Sequence, residues 1–265
     1  MSRKKGRLYL MPNTLDFGMD EADAVDLRRV IPTQVLEIAA GLGHWAAESA
    51  KTTRAFLKRV DAIVPLSQPL QQLEIKELPR PPKGGGKGGG KAGGDGNDSA
   101  AWQALLAPAL AGHDLGLISE AGLPAIADPG ARLVAAAHEQ DIEVVPLSGP
   151  SSLLLALAAS GLNGQSFAFV GYLPVDAQAR TARIRELEAL SLRQQQTQLM
   201  IETPYRNTAL LQALLSSLKP QTRLSVSCGL SLATGWTRSA TIDEWRQQRE
   251  GMPDRMPAVF AILAG

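Results

Sequence analysis

The sequence lacks the residues on which several protein classes depend. Its 265 residues include a single cysteine, Cys228, and only 5% are aromatic. One cysteine excludes an internal disulfide, so the chain is not a disulfide-stabilised secreted scaffold and fits a reducing compartment. The three histidines, His44, His113 and His138, are too scattered for metal-ligand spacing. We therefore expect a cytoplasmic protein without a metal site.

An excess of charge and long apolar runs are also missing. The net charge is +1 at pH 7, so a nucleic-acid partner would have to meet a local basic patch rather than a global field. No stretch reaches the ~18 apolar residues of a membrane helix. The basic residues 1–6 are followed by an apolar run that ends at Pro12, which is too short for a signal peptide. These absences predict a protein that does not bind membranes.

The sequence does contain a regular alternation of strand-like and helix-like segments, which is typical of the α/β class. The predicted strands cover residues 7–11, 62–66, 115–118, 144–147, 167–172, 197–202, 223–228 and 258–263. The predicted helices cover residues 32–40, 51–59, 99–111, 129–140, 151–160, 176–190 and 204–218. The length and the 45% hydrophobic content suffice for one large or two modest domains.

Three loops that join a strand to a following helix are the candidate ligand-binding segments. They cover residues 119–130, 148–152 and 202–206. In the first, Asp128 is predicted to be the N-cap of a helix and Pro129 its first residue. Ligands of α/β sheets bind at such junctions, outside the carboxyl ends of the strands. The three loops therefore predict one shared crevice.

A shift in composition near residues 163–165 divides the chain into two predicted α/β domains, residues 1–163 and 164–265, with the crevice between them. The first domain contains a glycine- and lysine-rich tract at 79–98, which predicts a flexible loop because it cannot bury apolar area. Part of the tract resembles a P-loop, but Ala92 stands where a serine or threonine would hold magnesium. We expect a linker there, with a nonspecific phosphate contact as the alternative.

Several motifs in the middle of the chain resemble one family. They are residues 119–124 with 128–130, 144–152, 160–162, 167–174 and 201–206, and their order and spacing hold from about 115 to 210. Together they resemble the tetrapyrrole-methylase superfamily of S-adenosylmethionine-dependent methyltransferases. The branch they resemble most is that of the small-subunit rRNA cytidine 2′-O-methyltransferases, of which this chain would be a divergent paralogue. The resemblance implies two α/β domains, S-adenosyl-L-methionine as cofactor and a homodimer.

The sequence departs from that branch at three motifs. Glu48-Ser49-Ala50-Lys51 stands where the rRNA enzymes carry Glu-Asp-Thr-Arg, and their later Glu-Leu-Thr-Lys motif is missing. The first loop, usually rich in glycine, is replaced by residues 12–15. Three functions therefore stay open: methylation of RNA such as small-subunit rRNA, methylation of a tetrapyrrole or another small molecule, and S-adenosylmethionine binding without catalysis.

The resemblance implies a set of cofactor-binding residues in the loops. They are Thr14, Ala121, Gly122, Leu123, Ile126, Ser151, Ser152, Ile201, Glu202, Pro257 and Ala258. Gly122 lets the backbone approach a ligand closely, and helix starts offer N–H groups to a carboxylate. Other interpretations stay open, because the two serines are also typical helix caps and Pro257 is typical of a strand start.

The candidate catalytic residues are Glu120 and Glu48, because a hydroxyl acceptor needs a base. Glu120 follows a strand at the position where the family has an aspartate, and partial desolvation there would raise its pKa. The alternatives are that Glu120 holds N–H groups of the loop and that Glu48 caps the helix at 51–59.

Basic residues that could face RNA lie mainly on one predicted helix. Lys51, Arg54, Lys58 and Arg59 fall on roughly one helical face, and Tyr205 with Arg206 are candidates for binding an acceptor phosphate. The alternative for both groups is a solvated surface. The four tryptophans are too dispersed for a stacking platform and are predicted to lie in the core or in a dimer interface.

Overall fold

The computed structural model describes residues 4–16, 25–79, 96–247, 251–253 and 256–265. These residues form two compact units, the first ending at Ser151 and the second beginning at Ser152. The glycine- and lysine-rich tract predicted to be a flexible loop lies almost entirely outside the described residues. Within them, no helix is long and apolar enough to cross a membrane.

The first unit contains a five-stranded sheet in which every pair of neighbouring strands is parallel. The strands are β1 (Leu8–Met11), β2 (His44–Ala47), β3 (Glu74–Glu77), β4 (Leu115–Ile118) and β5 (Val144–Pro146). Their order in the sheet is β3-β2-β4-β1-β5. Because all strands run the same way, the loops after β1, β2, β4 and β5 leave the sheet at one edge.

Helices cover both faces of this sheet. They are α1 (Thr33–Gly41), α2 (Ala50–Asp61), α3 (Gly96–Leu105), α4 (Ala107–Leu110) and α5 (Ala131–Glu139). On β2, Trp45 packs in one core cluster with Phe56 of α2. Ala46 packs in the other cluster with Leu133 of α5. Alternate strand residues thus enter opposite cores, as expected of a parallel sheet buried on both faces.

The second unit contains a mixed five-stranded sheet. Its strands are β6 (Phe167–Tyr172), β7 (Thr197–Glu202), β8 (Arg223–Cys228), β9 (Trp236–Thr241) and β10 (Ala258–Leu263). Their order is β6-β7-β10-β8-β9. β6 and β7 are parallel, and the remaining pairs are antiparallel.

The helices of the second unit are α6 (Ser152–Ser160), α7 (Ala177–Gln194), α8 (Asn207–Ser217) and α9 (Ile242–Arg246). On one face of the sheet, Phe260 of β10 packs with Leu187 of α7. On the other face, Val259 packs with Leu153 and Leu157 of α6. The α/β class predicted from the sequence is confirmed in both units.

One predicted strand is wrong. Residues 62–64 form a turn after α2 and 65–66 an irregular segment, because the N–H groups of Ile63 and Val64 both donate to the carbonyl of Val60. The Asp61 carboxylate then accepts the N–H of Leu66 at 3.0 Å. The apolar side chains of this segment pack against the core cluster that includes α2, and the segment does not join a sheet.

The unit boundary lies earlier than the boundary predicted at residue 163. The apolar helix α6, which was assigned to the first domain, belongs to the second unit. The physical reason is its packing, because Leu153, Ala156 and Leu157 share a core cluster with Leu199 and Val259.

Candidate functional site

Asn13 joins the loop after β1 to the loop after β4. Its side-chain Nδ2 donates to the carbonyls of Ser119 and Glu120 at 3.1 and 3.0 Å. Its backbone N–H donates to the carbonyl of Gly122 at 2.9 Å, and the Gly122 N–H donates back at 3.2 Å. Asn13 is buried, so these bonds are shielded from water and hold the two loops in one arrangement.

The loop at 119–130 contains four residues with left-handed or otherwise positive φ angles. They are Gly122 (68°), Ala125 (66°), Ala127 (63°) and Gly130 (129°). For a residue with a side chain, such a conformation costs on the order of 1–3 kcal/mol and persists only where its surroundings impose it. Strain of this kind clusters at ligand-binding segments, which supports a binding role for the loop.

The loop after β5 packs against the loop after β1 through Gly149. A Cβ atom at Gly149 would lie 2.1 Å from the Cβ of Pro12, so only glycine permits this approach. Ser151, which follows two residues later, is buried. The structure thus brings the predicted loops 119–130 and 148–151 and the predicted residue Thr14 to one edge of the sheet.

Glu48, in the loop after β2, supports the β4 loop. Its Oε2 accepts the N–H of Glu120 at 3.1 Å, and its own N–H donates to the carbonyl of Ile118 at 3.1 Å. The N-cap of α2 is Ser49, whose side chain accepts the N–H of Thr52. Glu48 is therefore not a helix cap. The alternative interpretation was that Glu120 holds the N–H groups of the loop, but it is Glu48 that accepts such an N–H group, that of Glu120.

Asp128 is a further acidic residue of this loop, and its predicted role as N-cap is wrong. Helix α5 begins at Ala131 with Gly130 as N-cap, so Asp128 lies too early to cap it. Burial, followed by the negative charges of Glu48 and Glu120, raises the pKa of Asp128 to about 7. A carboxyl group with this pKa exchanges protons at neutral pH. The raised pKa of Asp128 was not predicted from the sequence; the signal that could have found it is its position in the same loop as the candidate base Glu120.

The predicted residue Thr14 belongs to a buried network around Asp16. The Thr14 hydroxyl donates to Asp16 Oδ1, and the N–H of Val25 donates to Oδ2 at 2.9 Å. Arg59 of α2 forms an ion pair with Asp16 at 3.1 Å. Burial alone would raise the pKa of Asp16, but the bonds from Thr14, Val25 and Arg59 outweigh it and lower that pKa. The network fixes the β1 loop to α2.

In the second unit, the predicted residue Glu202 ends β7 with its carboxylate buried. Oε1 accepts the N–H of Thr203 at 2.8 Å and its hydroxyl at 3.2 Å. Oε2 forms an ion pair with Arg206 at 2.8 Å. Thr203 is the N-cap and Pro204 the first residue of the short 3-10 helix Pro204–Arg206. The charge of Arg206 is therefore compensated within the loop by Glu202.

Other predicted residues of the second unit are neighbours of Glu202. Ala258 pairs directly with it across β7 and β10, and Ile201 pairs with Val259. The carbonyl of Pro257 accepts the N–H of Gly229 at 2.9 Å. Ser152 is the first residue of α6.

The remaining predicted residues lie within the strained β4 loop of the first unit. Ala121 and Leu123 are half-buried, whereas the Ile126 side chain is 45% exposed. An exposed isoleucine on a rigid loop provides apolar surface for a ligand.

The basic face predicted on α2 is smaller than expected. Lys51, Arg54 and Lys58 are exposed, at a spacing that places them on one side of the helix. Arg59 is occupied by Asp16. The basic surface of α2 that could attract a polyanion therefore consists of Lys51, Arg54 and Lys58.

A cavity of about 590 Å³ lies at the opposite edge of the same sheet, around the start of β2 and β4. Its lining includes His44 and Glu74, which are 3.2 Å apart, and His113. None of the predicted site residues lines it. Among the described residues, no group of three or more histidine, cysteine, aspartate or glutamate side chains is arranged to hold a metal ion.

The fold and the loops define a class: an α/β protein with a parallel sheet whose carboxyl edge carries interlocked, strained loops. A profile of the family Tetrapyrrole (Corrin/Porphyrin) Methylases matches residues 35–244. The chain belongs to this family, which confirms the resemblance found in the sequence.

Two relatives carry the name "Ribosomal RNA small subunit methyltransferase I". The protein from Vibrio cholerae is 38% identical over 124 residues, which cover 47% of this chain and 42% of the relative. The protein from Mesorhizobium japonicum is 36% identical over 146 residues, which cover 55% of this chain and 48% of the relative. The matched region thus spans less than half the length of these relatives.

A solved structure shares the fold. The crystal structure of the methyltransferase CobJ aligns with a TM-score of 0.56 at 12% identity, covering 98% of this chain and all of that one. At this identity the likeness supports the fold only.

Proposed function

We propose that the chain is a methyltransferase that uses S-adenosyl-L-methionine and methylates RNA of the small ribosomal subunit. The observation that carries the proposal is the interlocked set of loops at the carboxyl edge of the first sheet, joined by Asn13 and Glu48, in a chain that belongs to a methylase family. The names of the relatives support RNA as the acceptor.

The loop residues fit such a cofactor. Gly122 carries no side chain that would keep a ligand from its backbone, and the half-exposed Ile126 offers apolar surface to an adenosine. In the second unit, Glu202 stabilises its loop through Thr203 and Arg206 rather than standing free. The assignment of cofactor contacts to both units is part of the proposal.

When bound, S-adenosyl-L-methionine would supply an electrophilic methyl group: the acceptor atom would bond to the methyl carbon as the methyl–sulfur bond breaks, and S-adenosylhomocysteine would leave. The protein positions the acceptor and removes its proton. Glu120 is the proposed catalytic residue, and Glu48 is the residue proposed to position it. Since Glu48 already accepts the N–H of Glu120, Glu48 acts through the position of the loop. Asp128 shares their electrostatic field and is a third carboxylate able to take a proton from a hydroxyl.

A salt series tests the acceptor. Binding of the purified chain to a single-stranded fragment of small-subunit rRNA and to a porphyrinogen mimic is measured at rising ionic strength. RNA affinity should fall steeply with salt, because phosphate contacts release counterions. The variant Lys51→Ala/Arg54→Ala should bind RNA more weakly and with a shallower salt slope. The control Arg185→Ala/Arg193→Ala, which removes two exposed cations from α7, should behave like the wild type.

The other two functions predict different results in this experiment and in a cofactor-binding and methyl-transfer assay with the same two acceptors. Saturable binding of the porphyrinogen mimic with no RNA binding at low salt would contradict RNA as acceptor and favour a tetrapyrrole. Binding of S-adenosylhomocysteine with no transfer to either acceptor would favour a module that binds the cofactor without catalysis.

The proposal includes a homodimer in the cytoplasm. The family resemblance implies the dimer, and the single buried thiol of Cys228 fits a reducing compartment. Sedimentation equilibrium should give twice the monomer mass; a monomer at micromolar concentration would contradict the dimer.

A further inference from the structure

Tyr205 is a solvent-exposed aromatic side chain in the loop that follows β7. It is 80% exposed, the highest value among the large hydrophobic side chains of the described residues. Burial of such a ring is normally favourable. Its position directly after the carboxyl end of a strand, next to the predicted cofactor residue Glu202, distinguishes it from a scattered surface aromatic.

The backbone that carries Tyr205 is fixed on its N-terminal side. Pro204 restricts the backbone before it, and the Arg206 N–H donates to the Thr203 carbonyl at 2.8 Å. The Glu202 carboxylate binds both Thr203 and Arg206, the residues on either side of Pro204 and Tyr205, and so closes the loop.

The C-terminal side of the loop is fixed as well. Asn207 is fully buried, and its backbone N–H donates to the Pro204 carbonyl. Its Nδ2 donates to the carbonyl of Met256 at 2.8 Å. This bond ties the loop to the segment just before β10, next to Pro257 and to Ala258, the first residue of β10. Tyr205 is thus displayed by a rigid loop, and holding its ring against a ligand would require little further ordering of the backbone.

From this geometry we propose that Tyr205 stacks on an unpaired base of the RNA acceptor. This inference rests on the proposed function and deepens it. Aromatic side chains bind single-stranded RNA by stacking on its bases. Arg206 is neutralised by Glu202, so the loop presents an uncharged ring rather than a phosphate contact. The stack selects unpaired RNA, because bases within a duplex do not expose their faces.

Three single variants of the full chain test the stack. Tyr205→Ala should weaken binding of a labelled single-stranded small-subunit rRNA fragment by about 5- to 150-fold, equivalent to about 1–3 kcal/mol per stacked base. Tyr205→Phe keeps the ring and should stay within about threefold of the wild type, since only the hydroxyl is lost. Phe167→Ala is the matched control. Phe167 is an aromatic that is 41% exposed. It lies at the amino end of β6, opposite Thr197 at the start of the parallel strand β7, and so at the other end of the strands from Tyr205.

Three further readouts make the result specific. The affinity of Tyr205→Ala for S-adenosylhomocysteine and its melting temperature should match the wild type, because the side chain is exposed. For a fully paired duplex of the same RNA sequence, the affinity of Tyr205→Ala should equal that of the wild-type protein. A loss of S-adenosylhomocysteine affinity would overturn the proposal by assigning the ring to the cofactor.

The failure of this proposal is distinguishable from failure of the proposed function. Wild-type protein that methylates RNA, with Tyr205→Ala binding that RNA unchanged, would overturn the stack alone. Wild-type protein that neither binds nor methylates RNA would overturn both, and this is seen before any variant is made.

Discussion

Arg59 and Asp16 form an ion pair of 3.1 Å in which the carboxylate is almost completely buried and the guanidinium is about one-third exposed. The pair connects α2, which begins just after Glu48, to the loop that contains Thr14. This charged contact therefore helps to hold the loop after β1 against the helix that follows Glu48.

Loss of this pair should cost stability and cofactor affinity together. Arg59→Leu leaves Asp16 buried without its cation, which should cost about 2–3 kcal/mol, somewhat less than the ~3–5 kcal/mol of a fully buried pair. Denaturant unfolding measures the loss of stability. Titration with S-adenosylhomocysteine measures the loss of cofactor affinity expected when Thr14 is displaced. The control Arg54→Leu, on the exposed face of the same helix, should change stability by less than about 0.5 kcal/mol. Equal effects of the two variants would contradict the role of the pair.

The raised pKa of Asp128 makes the stability of the protein depend on pH. In the unfolded chain an aspartate ionises near pH 3.9, whereas in the folded protein this one ionises near 7. Between these values the folded state holds a proton that the unfolded state has released. The contribution to stability is complete below about pH 4 and is lost as pH rises through 7.

Asp128→Asn should remove this dependence. The neutral amide requires no ionisation, so the variant should lose less stability than the wild type between pH 5 and pH 8. Each pKa difference of one is worth about 1.36 kcal/mol, and solvent screening at a half-buried carboxyl leaves about 1–2 kcal/mol in total. Urea unfolding at several pH values measures both curves. Parallel curves for the two proteins would show that Asp128 ionises normally.

Gly122 should be required for cofactor binding. Its φ of 68° is unfavourable for any side chain, so Gly122→Ala should cost about 1 kcal/mol of stability. We expect the loop to shift in relieving this strain and S-adenosylhomocysteine affinity to fall about tenfold, equivalent to ~1.4 kcal/mol. Gly164→Ala is the matched control, because Gly164 has no positive φ and a Cβ there meets no atom within 4 Å. A folded Gly122→Ala protein with unchanged affinity would contradict the assignment of this loop to the cofactor.

A strand could be predicted from the sequence where its own residues form an apolar run between breaking residues. The apolar runs of β4, β7 and β10 are bounded by breakers and lie where they were predicted. Three strands, β2, β3 and β9, were not predicted. β3 was missed because Glu74, Lys76 and Glu77 give it no apolar pattern. It is a strand only because it pairs with β2, Glu74 lying opposite His44. Such pairing over thirty residues is not visible in a local pattern.

The candidate site shows the same division. The loop segments were predictable, because glycine and proline interrupt an apolar run. The roles of particular side chains were not, since they depend on contacts between distant residues. Asp128 has the local pattern of a helix cap, but Glu48, 80 positions before it, contributes to its raised pKa. Arg59 has the pattern of a solvated cation, but Asp16 binds it.

The most direct test of the account is methyl transfer itself. The purified chain is incubated with S-adenosyl-L-methionine and unmodified small-subunit rRNA, and the digested nucleosides are analysed by mass spectrometry. The account predicts one new methylated nucleoside, which is absent with Glu120→Gln. An unchanged rRNA together with methylation of a porphyrinogen, or with transfer to neither acceptor, would contradict it.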